Sequence, residues 1–224
     1  LAPGMNIHRN PLCGRNFEYY SEDPLLTGLC AAADTKGVQS YKGHGTTIKH
    51  FAANNQEDNR MFTNAHISER ALREIYLKGF EIAVKESHPG AVMSSYNKVN
   101  GKYVNNSYRL LTQVLRNEWG FDGYVMSDWG AVNNRVEGLK AGLDLEMPSS
   151  FGINDAEIVK AVKEGKLKEE ILDQTVKRIL TIVYRYEENR DIKASWNIKE
   201  DHEKAKQAAQ ETVVLLKNDG ILPI

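Results

Sequence analysis

The stretch Gly123-Tyr-Val-Met-Ser-Asp-Trp129 decides how the fold is read. Tyr124 to Met126 is a short apolar run of the kind that forms a buried strand. It stops abruptly at an acid, Asp128, and an indole, Trp129. In parallel α/β proteins ligands bind at the carboxyl ends of strands. An acid there, beside a flat aromatic surface, suits a ring that is both stacked and attacked, such as a sugar. Asp after a strand equally suits the cap of the following helix, and the stretch alone divides evenly between the two.

The same pattern recurs outward from this stretch. Upstream, Pro89-Gly90 marks a turn before the apolar run Ala91 to Met93, Thr46 to Lys49 is a short β-branched run, and Met5 to Ile7 is an opening strand-like segment. Downstream, Leu143 to Met147 is the next strand candidate. Helical patterns lie between them. Ser68 can cap a helix with Leu72, Ile75, Tyr76, Phe80, Ala83 and Val84 at the 3.6 period. Ser107 can cap a second with Leu110, Leu111, Val114 and Leu115, which Gly120 can end. A third runs from about Val132 to Ala141, closed by Gly142. Asn154-Asp-Ala-Glu157 resembles a capping box, and Gly165 ends that helix. Leu167 to Tyr186 is the strongest helix, with one stripe of Ile171, Leu172, Thr175, Val176, Ile179, Leu180 and Val183. A last helix spans about Lys199 to Lys217, with Ala208, Ala209, Val213 and Leu216 facing inward.

Alternation of strand and helix implies a parallel sheet. Strands that are apolar without alternation imply burial on both faces. The best fit is an α/β fold of the (β/α)8 TIM-type barrel, with a doubly wound sheet as the alternative. Four or five strands plus the opening segment are few for a barrel that takes about 250 residues, so the first strands are expected upstream of Leu1. Both ends read as cut, and the chain as a piece of a longer protein.

Bulk properties narrow the function. The 224 residues are 41% hydrophobic and 26% charged, with formal net charge −1. This composition is ordinary for a globular chain, and near-neutral charge argues against nucleic-acid or membrane-surface partners. No stretch reaches the roughly 18 apolar residues of a membrane span. Cys13 and Cys30 are too few for a disulfide scaffold, and separate thiols are favoured. No targeting segment is visible, which leaves the compartment open, with the cytoplasm slightly favoured over secretion.

Four polar constellations follow strand candidates, where barrel enzymes place functional side chains. In Arg9-Asn-Pro-Leu-Cys-Gly-Arg15-Asn-Phe-Glu18, a guanidinium could grip vicinal hydroxyls; taken alone, this loop favours a salt bridge of Arg15 with Glu18. Lys49-His50 offers two adjacent donors at a strand end, and Asn54-Asn-Gln-Glu57 adds polar density in the same loop. A lone histidine is more often structural, and His44, His66, His88 and His202 are read as that or as exposed. In Met93-Ser-Ser-Tyr96-Asn97, Tyr96 could orient a neighbouring carboxylate, although half-buried packing is the commoner fate of a single tyrosine. Asn100-Gly101 then marks a turn. Ser127-Asp128-Trp129 is the fourth. Asp144 and Glu146 also end a strand, facing either a helix layer or a ligand. No complete nucleotide fingerprint, no Gly-x-Ser-x-Gly elbow and no metal-binding histidine pair is present.

Gly-Arg-Asn-Phe-Glu, Lys-His-Phe, Ser-Tyr-Asn and Ser-Asp-Trp, in this order, resemble glycoside hydrolase family 3, the β-glucosidase family. The resemblance runs from Pro3 to Asn218. It implies the C-terminal portion of a (β/α)8-type catalytic barrel over residues 1–217 and, in residues 218–224, the start of a linker to a second domain. It implies that Asp128 is the catalytic nucleophile and Trp129 a wall of the sugar subsite. Arg15, Lys49 and His50 match hydroxyl-binding residues, and Tyr96 a residue beside the nucleophile. It further implies a β-glucoside or oligosaccharide substrate, no metal or organic cofactor, and a general acid/base glutamate on the second domain. The β-N-acetylglucosaminidase branch carries a His-Asp pair in a Pro-Gly-His-Gly-type loop, and Lys49-His-Phe-Ala-Ala-Asn-Asn-Gln56 departs from it. The resulting expectation is a retaining β-glucosidase acting through a covalent glycosyl-enzyme. The alternatives are a non-catalytic carbohydrate-binding or structural fragment, or a β-xylosidase of the same family.

Overall fold

The computed structural model describes residues 1–223, which divide into two compact units, Leu1–Arg190 and the residues from Asp191 onward. In the first unit the strands are β1 (Thr47–Phe51), β2 (Asn64–Ala65), β3 (Ala91–Ser94), β4 (Lys98–Val99), β5 (Lys102–Tyr103) and β6 (Tyr124–Ser127). β1, β3 and β6 form a parallel sheet in that order.

The sheet gains a position at each edge. The Met5 N–H donates to the Lys49 carbonyl (2.7 Å) and the Ser127 N–H to the Leu145 carbonyl (2.9 Å), with parallel bridges at Gly4–Lys49 and Met126–Leu145. The opening segment and Leu143 to Met147 therefore flank the sheet as expected. Strand positions succeed one another in chain order without reversal, which is the wall of a (β/α) barrel. A doubly wound sheet reverses order at its switch point. Both faces are buried: Val92 and Val125 pack into the main core, while Ala91, Met93 and Met126 form a cluster of their own.

The main core is centred on Phe51, whose ring meets Phe80 and Trp119 edge-on at 5.3 and 5.9 Å. Helices α1 (Pro24–Gln39), α2 (Glu69–Ala71) and α3 (Lys78–Ser87) lie along the first half of the unit. α1 approaches α3 closely because position 28 is glycine; a Cβ there would lie 2.8 Å from Ile82 Cβ. Ser68 caps the second helical run as expected, accepting from the Ala71 N–H at 3.3 Å. A π-turn at Leu72–Tyr76 then adds a residue, closed by the Leu77 N–H on the Leu72 carbonyl at 2.9 Å. The extra residue rotates the face, so Leu77 is buried and Ile75 is 40% exposed. The π-helix Arg109–Glu118 buries Leu110, Leu111, Val114 and Leu115 as its spacing predicts. Asn100-Gly101 forms the tight hairpin turn between β4 and β5, with both residues at positive φ (50° and 89°).

Helix α4 (Arg135–Ala141) starts later than its apolar pattern suggests, because Asn134 caps it through the Glu137 N–H at 2.9 Å. In α5 (Ile153–Lys163) the Asn154–Glu157 capping box is not used. The helix starts two residues earlier, with Gly152 in place of Asn154 at the cap, and the Asn154 amide donates to Glu146 at 2.5 Å. The stripe on α6 (Glu169–Glu187) is only partly covered: Thr175 is buried and Ile171, Leu172 and Ile179 are half-buried, whereas Val176, Leu180 and Val183 are 43–52% exposed, and the other buried position, Ile182, lies outside the stripe. In the second unit, α7 (Ile198–Thr212) is capped by Asn197 and stops at the β-branched run Thr212-Val213-Val214. It does not reach Lys217, and Ala208, Ala209, Val213 and Leu216 are exposed. No helix among the described residues is long and apolar enough to cross a membrane.

Candidate active site

Asp128 follows directly on β6, and its amide extends the sheet by donating to the Ser94 carbonyl at 3.2 Å. It caps no helix, since Asn134 performs that task for α4. One carboxylate oxygen, Oδ1, accepts from the Trp129 N–H at 2.7 Å. The other, Oδ2, is shielded from solvent and has no hydrogen-bond partner among the described residues. An uncompensated buried carboxylate oxygen is costly to maintain, and such groups cluster where chemistry needs them.

His50 Nε2 lies 3.7 Å from Oδ2. His50 lies on β1 and is fully buried. Asn6, on the opening segment, clamps its backbone: Asn6 Nδ2 donates to the His50 carbonyl (2.9 Å) and the His50 N–H donates to Asn6 Oδ1 (2.8 Å). The Tyr19 hydroxyl lies 3.4 Å from His50 Nδ1. Asn6 Oδ1 lies 3.3 Å from the same nitrogen, so Nδ1 faces both a hydroxyl and an amide oxygen while Nε2 faces the Asp128 carboxylate. Burial, reinforced by the cations of Arg15, Lys49 and Arg60, pushes the His50 pKa down to about 2, so the ring is neutral. Its partner Tyr19 is pushed up by burial.

Arg15 and Lys49 converge on one carboxylate. Arg15 Nε donates to Glu18 Oε1, and Lys49 Nζ lies 3.2 Å from Glu18 Oε2. The salt bridge that the loop alone suggested is therefore present, but it is part-buried and shared with a second cation. Burial opposes the charge on Arg15, yet its hydrogen bond to Glu18 and nearby acidic groups outweigh it and raise its pKa.

Tyr96 stands two residues beyond β3. Its hydroxyl donates to the Trp129 carbonyl at 3.0 Å. Burial, followed by the charge of nearby Asp128, raises its pKa to about 12. The Arg60 guanidinium covers the Tyr96 ring at 4.4 Å and pairs with Glu57 at 2.7 Å. Trp129 is 45% exposed and offers an aromatic face beside Asp128. A cleft of about 420 Å³, lined by Arg9, Cys13, Gly14, Asn55 and Glu57 among others, has none of Arg15, Lys49, His50, Tyr96, Asp128 or Trp129 in its lining.

All six candidate residues therefore fall in one neighbourhood: Asp128, Trp129, His50, Tyr96, Lys49 and Arg15. Asp144 belongs elsewhere, with Arg116 at 2.6 Å, Arg178 at 3.0 Å and the Val125 N–H at 2.8 Å, which settles it as a charge facing the helix layer. His44, His66, His88 and His202 are exposed, and Cys13 and Cys30 are free thiols. Sequence reasoning missed Asn6, Tyr19 and Arg60. Asn6 left one signal, a polar residue between Met5 and Ile7 on an apolar strand segment; Tyr19 and Arg60 left none.

Residues 1–182 match the model of the glycosyl hydrolase family 3 N-terminal domain. The chain belongs to glycosyl hydrolase family 3. Among the family's characterised members, it is 56% identical over 225 residues to thermostable β-glucosidase B of Acetivibrio thermocellus, matching all of this chain and 30% of that protein. It is 50% identical to an exo-α-(1→6)-L-arabinopyranosidase of Bifidobacterium breve, again over its whole length and 30% of that protein. The structure of β-glucosidase 3B from Thermotoga neapolitana in complex with α-D-glucose superposes with a TM-score of 0.95 at 54% identity, covering all of this chain and 32% of that one. The fold is thus the TIM-type barrel of this family, and the chain spans about 30% of the length of the relatives it matches.

Proposed function

We propose that this chain carries the nucleophile and the sugar-gripping groups of a retaining β-glucosidase. The observation that carries the proposal is the unequal treatment of the two Asp128 oxygens: Oδ1 is tethered by the Trp129 N–H and Oδ2 has no hydrogen-bond partner. A buried carboxylate that is only half compensated fits a group that forms a bond during the reaction. The Asp128 carboxylate attacks the anomeric carbon of a terminal glucosyl unit, the bond to the leaving oxygen breaks, and a second carboxylic acid protonates that oxygen. The deprotonated partner then takes a proton from water, whose oxygen displaces Asp128 and releases the sugar with retained configuration. The neutral His50 and Tyr96 orient Asp128, Trp129 stacks the ring, and Arg15 and Lys49 donate to hydroxyls.

The acid/base is proposed to come from a second domain beyond these residues, joined through a linker that starts near 218–224. Two features support this. Glu18 is engaged by Arg15 and Lys49 and Glu57 by Arg60, so neither acid is free to serve. The relatives are also more than three times as long as this chain. A pentopyranose is the second reading, on the strength of the arabinopyranosidase relatives at 50% identity. Loss of one hydroxymethyl contact is worth only about 10–200-fold.

The test is proton NMR of 4-nitrophenyl β-D-glucoside hydrolysis by the complete gene product. β-Glucose should form first, and Asp128→Ala should lower kcat by about 10³–10⁶, the scale of losing a covalent nucleophile. Initial α-glucose, or an active Asp128→Ala variant, overturns the proposal. Comparing kcat/KM on 4-nitrophenyl β-glucoside and α-L-arabinopyranoside separates the two sugars.

A further inference from the structure

The geometry points to Glu18 as the positioning residue of the sugar-gripping cations, an inference that rests on the proposed glycosidase reading. Arg15 precedes the short 3₁₀ turn Asn16–Glu18 and Glu18 ends it, and the three-residue period stacks positions i and i+3. Glu18 takes one bond from each cation: Arg15 Nε on Oε1, and Lys49 Nζ on Oε2 at 3.2 Å. The three side chains are similarly sheltered, at 18–19% exposure, so the contacts are not those of a solvated surface pair. The carboxylate also has a built seat. A Cβ on Gly4 would lie 3.1 Å from Glu18 Oε2 and 3.1 Å from the Tyr19 ring, so the glycine on the sheet edge makes room for it.

This arrangement does two things for the cations. By taking only Nε, it leaves the forked Nη groups of Arg15, which have no other partner among the described residues, to face a vicinal diol. It likewise leaves two protons of Lys49. It also places one negative charge between two positive ones, which otherwise repel each other and splay. Glu18 therefore acts through Arg15 and Lys49 and touches no substrate itself.

The experiment uses the complete gene product and a panel of aryl β-glucosides, each lacking one ring hydroxyl. Turnover by the parent protein, abolished in Asp128→Ala, first establishes the glycosidase reading independently of Glu18. Arg15→Ala and Lys49→Met then identify which hydroxyls those cations hold, as the deoxy substrates on which each variant costs little. Glu18→Gln keeps the shape and removes the charge. It should lower kcat/KM on the parent glucoside by about 10–100-fold, the scale of a weakened charged hydrogen bond. The loss should shrink below threefold on the same deoxy substrates that are insensitive to Arg15→Ala or Lys49→Met. An equal loss on every substrate, or no loss on any, overturns the inference. Should Glu18→Gln fail to fold, Gly4→Ala, which displaces the carboxylate while keeping its charge, is read on the same panel against the same two outcomes.

Discussion

Asn6→Ala is the change that most directly probes how the site is assembled. Asn6 satisfies both backbone polar groups of His50, at 2.8 and 2.9 Å, and its Oδ1 lies 3.3 Å from the ring nitrogen Nδ1. His50 is 1% exposed, so water does not reach the groups that truncation would orphan. Each buried unsatisfied backbone group costs about 1–3 kcal/mol, which gives about 2–6 kcal/mol for the pair. The catalytic cost follows from position. His50 stands 3.7 Å from Asp128 Oδ2, and a displacement of about 1 Å near the reacting atoms costs about 10²-fold. The sign is sharpened by Asn6→Asp, which keeps an acceptor for the His50 N–H but turns a carboxylate oxygen against the His50 carbonyl. It should destabilise at least as much as alanine. Urea unfolding of both variants, with kcat/KM on an aryl glucoside, tests this. Asn6→Ala protein that unfolds within 0.5 kcal/mol of the parent, by the roughly ±0.5 kcal/mol spread of neutral surface changes, and reacts at the parent rate would refute the reasoning.

Two further predictions concern the charges. His50 has a folded-state pKa of about 2 against 6.5 unfolded, so the unfolded chain binds the proton first. Its contribution is fully present above pH 6.5 and is lost as pH falls below it, at up to about 1.4 kcal/mol per unit; His50→Gln should flatten that slope in acid-unfolding curves. Asp144→Ala should destabilise by about 3–5 kcal/mol in chemical denaturation, because it strands Arg116, already lowered to about 10 by burial, together with Arg178.

The sheet was legible because its strands are apolar on both faces and end in turn or polar signals, as at Pro89-Gly90 and Ser127-Asp128. Helix starts that rest on a cap, Ser68 and Ser107, were legible for the same local reason. The π-turn at Leu72–Tyr76 was not, since one added residue rotates a face without altering the apolar composition. The α6 stripe misled because periodicity reports which face is apolar, not how much of it is covered. At the site, residues beside strand ends stood out, whereas Asn6 and Tyr19 act on His50 across 44 and 31 positions. A long-range hydrogen bond leaves no spacing in a sequence. Glu18 was visible only as a partner for Arg15; its second bond to Lys49 depends on how β1 meets the opening segment.

The most direct measurement is mass spectrometry after incubation with an activated 2-deoxy-2-fluoro-β-glucoside. This probe forms the glycosyl-enzyme readily and depends little on acid assistance, so it reports on the groups of this chain. A single fluoroglucosyl adduct on the peptide containing Asp128, absent from Asp128→Ala, is the predicted result. Folded protein that takes up no label, or carries it on another residue, would contradict the assignment of Asp128 as the nucleophile.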